Sequence, residues 1–172
     1  MSTRQNDSGA PEPAAPWNEI APGLWLGGLH RTDAAGRRLP VVVDAEFDLV
    51  VSLCPAAGHG PAPGRPHRVV ALPDGPLDAW QLTAVQSLSR TVAEAVVSGQ
   101  SVLVRGRTGH NRSGLVAAQA LVELGSAPDE AVRLVRERRS PRALGDDLLV
   151  QYLVTGLETA RLLAALSPPP LS

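Results

Sequence analysis

Hydrophobic positions along the chain fall into short β-branched runs that alternate with longer stretches of helical spacing. Leu24-Trp25-Leu26, bounded by Gly23 and Gly27-Gly28, predicts a short strand. Asp48 to Leu53 and His67 to Leu72 are β-branched runs of strand length, separated by a Pro/Gly-rich loop over 55–66 with no packing signal. Val85, Leu88, Val92 and Val96 recur at spacings of three and four and predict a helix over about 77–98. Gly99 then sits where a left-handed residue ends a helix. Ser101 to Arg105 is a buried-strand candidate, followed by a loop and a helix over about 112–124 that stops at Gly125. Ser126-Ala-Pro-Asp129 has the spacing of a capping box in its acidic variant and opens a helix to about Arg139. A last helix fills roughly 146–166. Strands alternating with helices imply an α/β domain with a largely parallel central sheet flanked by helices.

Composition narrows the function classes. The 172 residues suit one ordinary domain, and 44% hydrophobic against 19% charged residues excludes a disordered polyelectrolyte. Residues 1–16 and 167–172 read as loose tails around a single domain over 17–166. Sixteen basic and seventeen acidic side chains leave a net charge of −1, which removes the electrostatic case for nucleic acid or an anionic membrane as partner. No stretch has the ~18 or more apolar residues of a membrane span, and none resembles a signal peptide. All sixteen basic residues are Arg, a uniformity more like composition bias than selection at a site. The single cysteine, Cys54, rules out an internal disulfide and a multi-cysteine zinc site, and fits a reducing, cytoplasmic setting. The four histidines have no metal-ligand spacing, so neither metal nor cofactor is expected.

The informative segment runs from Val102 to Gly114: a buried strand, a tight loop with glycines, then Arg112-Ser113 opening a helix. In open α/β sheets ligands sit beyond the carboxyl ends of strands, where a helix N-terminus offers free N–H groups and a positive dipole end. Physics alone predicts an oxyanion site formed by the backbone of Arg107, Thr108, Gly109, His110 and Asn111 with the Arg112 guanidinium. The competing reading, equally open on spacing, is a plain strand-to-helix turn in which Arg112 pairs with a nearby carboxylate. A Walker-type loop is excluded because the Lys before Ser113 and the G-x-x-x-x-G spacing are both missing. Gly106-Arg-Thr-Gly109 matches the G-x-x-G of RNA-binding KH loops, but the near-neutral charge argues against that reading.

On these residues the chain resembles the dual-specificity and protein tyrosine phosphatases, whose signature is His-Cys-x5-Arg-Ser/Thr after a buried strand. Residues 17–28 resemble the family's opening strand, 47–53 its second strand, 72–76 the loop carrying the general acid, 109–114 the phosphate loop, and 131–141 the helix and turn behind it. The resemblance implies a cysteine-phosphatase-like fold. It also implies that Arg112 grips phosphate, that Ser113, whose counterpart in the family helps a thiolate leave, can here only cap the helix or touch the anion, and that Asp74 is the general acid, with Asp78 as a fallback. Asp74 also reads simply as the turn residue of Pro-Asp-Gly, and Asp78 as an acidic residue in the first turn of a helix. The nucleophile's position, six residues before Arg112, falls on Gly106, and Arg105 takes the place of the usual His.

A glycine can neither attack phosphorus nor form a covalent phospho-enzyme. The expectation is therefore a pseudophosphatase that retains the loop over 106–112 and binds a phosphorylated protein or other phospho-ligand. The rivals are an active phosphatase that replaces the thiolate with water activated by Asp74 or His110, and a pure interaction domain. Cys54 reads as a small buried hydrophobe, although it could line the pocket. His110 either donates to bound phosphate or points to solvent, and the second reading is the simpler. The basic run Arg133, Arg136, Arg138, Arg139 and Arg142 reads as a solvated helix face, or alternatively as a rim that recruits a phosphorylated partner.

Overall fold

The computed structural model describes residues 13–73 and 75–156, so both predicted tails lie mostly outside the described residues. Five strands form the main sheet: β1 (Trp17–Ala21), β2 (Leu24–Gly27), β5 (Leu49–Ser52), β6 (His67–Val69) and β7 (Val102–Arg105), in the order β1-β2-β7-β5-β6. β2, β7, β5 and β6 run parallel, and β1 returns antiparallel on β2. The expected α/β architecture is therefore present. Residues 17–28, one strand by resemblance, form a two-stranded hairpin about Pro22-Gly23. A second small sheet, β3 (His30–Thr32) with β4 (Arg38–Pro40), carries no alternation strong enough to read from sequence.

Side chains of the central strands alternate between two packing layers. Leu24, Leu26, Leu49, Val51, Val102 and Val104 face one large cluster. Into it α1 (Ala79–Val97) inserts Val85, Leu88 and Val92, while α2 (Arg112–Glu123) inserts Leu115, Val116 and Leu121. Helix α3 (Pro128–Arg138) adds Ala131, Val132 and Val135. The opposite layer is small: Val50 and Leu103 meet Val43 and Phe47, with Trp17 and Trp25 edge-on to Phe47 at 5.1 and 5.9 Å. All four residues of β7 are buried, as a central parallel strand requires.

Helix ends follow local chemistry, with some shifts from expectation. Asp78 is the N-cap of α1, in a reciprocal capping box with Gln81, rather than a first-turn residue. The box expected at Ser126 does not form: Ala127 is the N-cap of α3, without a side-chain bond. Ser126 is spent on the preceding helix, where its N–H bonds Leu121 O and Gly125 N–H bonds Val122 O to close α2. The last helix is shorter where it is described. α4 (Asp147–Gln151) is capped by Asp146 and passes into a π-helical turn over Tyr152–Gly156, and the remainder of the expected 146–166 helix lies outside the described residues.

Candidate functional site: the loop between β7 and α2

β7 delivers the chain to Gly106 at the carboxyl edge of the sheet, and the loop over 106–111 leads directly into α2. The loop is folded against the β2–β3 connection through close glycine contacts. Gly109 has φ +76°, and a Cβ there would lie 2.5 Å from Gly27 O; one on Gly28 would lie 2.9 Å from Thr108 O. Three of the loop's carbonyls are turned to protein donors. Arg107 O accepts from Leu29 N at 3.0 Å, Thr108 O from Arg139 Nη2 at 3.2 Å, and His110 O from Leu144 N at 3.1 Å.

The N-terminus of α2 is open by the same logic. Asn111 is the N-cap, but its side chain makes no bond to the first turn. Its Oδ1 instead accepts from Asp146 N at 3.3 Å, beside the cap of α4. Arg112 is 7% exposed and Ser113 1%. Arg112 Nε donates to Pro73 O at 3.2 Å and Nη2 to Gly75 O, so the guanidinium is held by the carbonyls on either side of position 74. Asp74 itself lies outside the described residues. Among the described residues, no ion pair joins Arg112 to a carboxylate. Its Nη1 and the Ser113 Oγ, both buried, have no hydrogen-bond partner among the described residues.

Gly106 faces Ser113. An added Cβ would lie 3.2 Å from Ser113 Oγ and 3.5 Å from its Cβ. Arg107 is exposed at the rim, Thr108 half-buried, and Gly109 buried. His110 is 6% exposed, which corrects its expected orientation toward solvent. Asp78, the fallback acid, has one carboxylate oxygen committed to Gln81 N at 2.8 Å.

Two residues that sequence reasoning did not place complete the surroundings. Arg139 ties the loop to the start of the domain, bonding Ala15 O and Asn18 Oδ1 as well as Thr108 O. Arg105 is fully buried and bonds Ser52 Oγ, His59 O and Gly60 O. The 55–66 loop is therefore anchored, contrary to the reading of no packing signal. Nothing in the local pattern marks either arginine's role, because their partners, backbone carbonyls and the Asn18 and Ser52 side chains, are all distant in sequence.

Cys54 is 8% exposed and packs with Leu29 and Ala56. Burial raises its thiol above the ordinary value, partly offset by the Arg107 and Arg105 charges. The basic run on α3 is divided. Arg133 pairs with Glu130 and Glu137 on an exposed face, Arg136 bonds Ala143 O and Leu144 O, and Arg139 at the C-cap is buried against the 106–111 loop. Only part of that run is a solvated face.

No family model and no curated protein sequence matches the chain. The fold is matched by solved structures along most of its length. Human DUSP28 is 25% identical, with a TM-score of 0.66 over 87% of this chain and 99% of that one. A mouse putative dual specificity phosphatase complexed with zinc tungstate is 25% identical, with a TM-score of 0.62 over 94% and 98%. The chain therefore has the fold of the dual-specificity and protein tyrosine phosphatases. A further phosphatase-fold neighbour, the human tyrosine phosphatase-like serine/threonine/tyrosine-interacting protein, is 21% identical with a TM-score of 0.60 over 85% and 97%, and attests to the fold alone. In this fold the β7–α2 loop, where Arg112 Nη1 and Ser113 Oγ have no partner among the described residues, is the candidate site.

Proposed function

We propose that this protein binds a phosphorylated ligand in the 106–112 loop and does not carry out cysteine-dependent hydrolysis. The observation that carries the reading is Gly106. It stands where the chain leaves β7, faces the Ser113 hydroxyl, and brings no side chain to attack phosphorus. Cys54, the single thiol, is packed at the end of β5 outside the loop. Loss of one member of a catalytic set has reduced turnover by about 10⁶ in an unrelated hydrolase.

Binding is better supplied than chemistry. Three of the loop's carbonyls are turned to protein donors, α2 has no side-chain cap, and Arg112 Nη1 with Ser113 Oγ remain to meet oxygen ligands. Removing a thiolate also removes a negative charge from a site that would receive a dianion. Two neighbours support the reading by their descriptions. The mouse phosphatase was solved with tungstate, a tetrahedral oxyanion, and the human phosphatase-like neighbour is named an interacting protein.

The test is hydrolysis of a small aryl phosphate by the parent and by Gly106→Cys. The substitution fits, because the 3.2 Å contact is with a hydroxyl that has no partner to lose among the described residues and can rotate. A silent parent and an active variant are expected. Turnover by the parent would overturn the proposal and favour a thiol-independent phosphatase. Silence of both, with no phosphate binding by the parent, would point to an interaction domain.

A further inference from the structure

Arg105 ends β7 one residue before Gly106, and the proposed anion site makes no direct use of it. It is fully buried, and each of its nitrogens has a partner: Nε donates to Ser52 Oγ at 2.8 Å, Nη1 to His59 O at 2.8 Å, and Nη2 to Gly60 O. All three acceptors are neutral. No ion pair joins Arg105 to a carboxylate among the described residues. A guanidinium stays charged in a protein interior, so a positive charge is buried and uncompensated where the loop begins. That arrangement is costly unless something else gains from it. The other arginines that touch or form the loop, Arg107, Arg112 and Arg139, add the same sign.

The Ser52 hydroxyl extends the cluster. Its oxygen accepts from Arg105, and it lies 2.7 Å from His67 Nε2. With the hydroxyl proton directed at that nitrogen, both bonds are satisfied by a neutral imidazole. The field of Arg105 reaches outward as well, since it opposes protonation of His67 and favours the Cys54 thiolate.

We infer that Arg105 is the positioning residue of the anion site: it pins the 59–60 backbone to the end of β7 and holds a permanent positive charge behind the 106–112 loop that selects dianions over monoanions. The inference rests on the anion-binding reading above. Its physical basis is that Coulomb attraction to a fixed charge doubles from a monoanion to a dianion of the same shape, whereas geometric support serves both alike.

Tungstate and perrhenate make the test, being tetrahedral oxyanions of similar size that differ by one unit of charge. Calorimetric titration of the parent is expected to favour tungstate. In Arg105→Met the tungstate-to-perrhenate affinity ratio falls by about tenfold, the order expected for one charge several ångströms away in an effective dielectric of about 20. Ser52→Asp keeps the guanidinium but places a carboxylate against its Nε, and lowers the ratio in the same direction. It keeps the inference testable if Arg105→Met does not fold. An unchanged ratio in a folded variant overturns this inference and leaves anion binding standing. Absence of tungstate binding in the parent overturns both.

Discussion

Two buried arginines, Arg105 and Arg112, bracket the same loop seven positions apart, and the structure uses them in opposite ways. Arg105 has every nitrogen bonded within the protein. Arg112 has two nitrogens bonded to carbonyls of the 73–75 segment, and its buried Nη1 has no described partner. A buried donor left unmade costs about 1–3 kcal/mol, so a fold that tolerates one at Arg112 while satisfying all of Arg105 separates two roles. One arginine is spent on architecture. The other has a buried donor that no described residue meets, the donor the proposed phospho-ligand would take. Arg133, exposed on α3 and paired with two glutamates, shows the third and weakest use of the same side chain.

The contrast can be broken most sharply at Arg112. Arg112→Ala should weaken tungstate binding by about 100-fold, the worth of one or two charge-assisted hydrogen bonds. Its urea unfolding midpoint should move little, because Pro73 and Gly75 are exposed and water can replace the guanidinium at their carbonyls. A large loss of stability with little change in affinity would reverse the two roles.

Arg105→Met is the complementary experiment, with stability as the main readout. It leaves Ser52 Oγ, His59 O and Gly60 O without their donor, and a destabilisation of about 2–4 kcal/mol in urea unfolding is expected. A variant as stable as the parent would mean that water already shares those carbonyls and that the clamp holds nothing.

The smallest effect is in pH dependence. Burial, and then the Arg105 charge, hold the His67 imidazole below its ordinary value of 6.5. The unfolded chain therefore takes up the proton first. This contribution to stability is complete well above pH 6.5 and declines as pH falls through that value toward the lower folded one. Urea midpoints at pH 7.5 and 5.5 should show the decline in the parent. Arg105→Met should show less of it, since one of the two causes is gone. An equal decline in both would assign the effect to burial alone.

Much of the fold was legible in the chain because its signals are local. β-branched runs marked β5, β6 and β7, the 3–4 spacing of Val85, Leu88, Val92 and Val96 marked α1, and Gly99 and Gly125 marked helix ends. Strand lengths were overestimated at β5 and β6, since hydrophobicity continues past the last paired residue into loops that are also packed. The Ser126 box failed because two helices compete for the same four residues. The small β3–β4 sheet was invisible because its three-residue strands carry no alternation.

The candidate site divides along the same line. The sequence alone determined that a buried strand meets a helix through a glycine-bearing loop, that Arg112 and Ser113 open the helix, and that position 106 has no side chain. Those are properties of order and composition, and no folding can change them. Only the tertiary structure decided that Asn111 turns its cap toward Asp146, that Arg112 rests on the carbonyls of Pro73 and Gly75, that His110 is buried, that Arg139 holds the loop at Thr108, and that Arg105 clamps the 59–60 backbone. The reason is physical. A backbone carbonyl is the same group in every residue, so which carbonyl an arginine reaches is set by where distant segments lie in space.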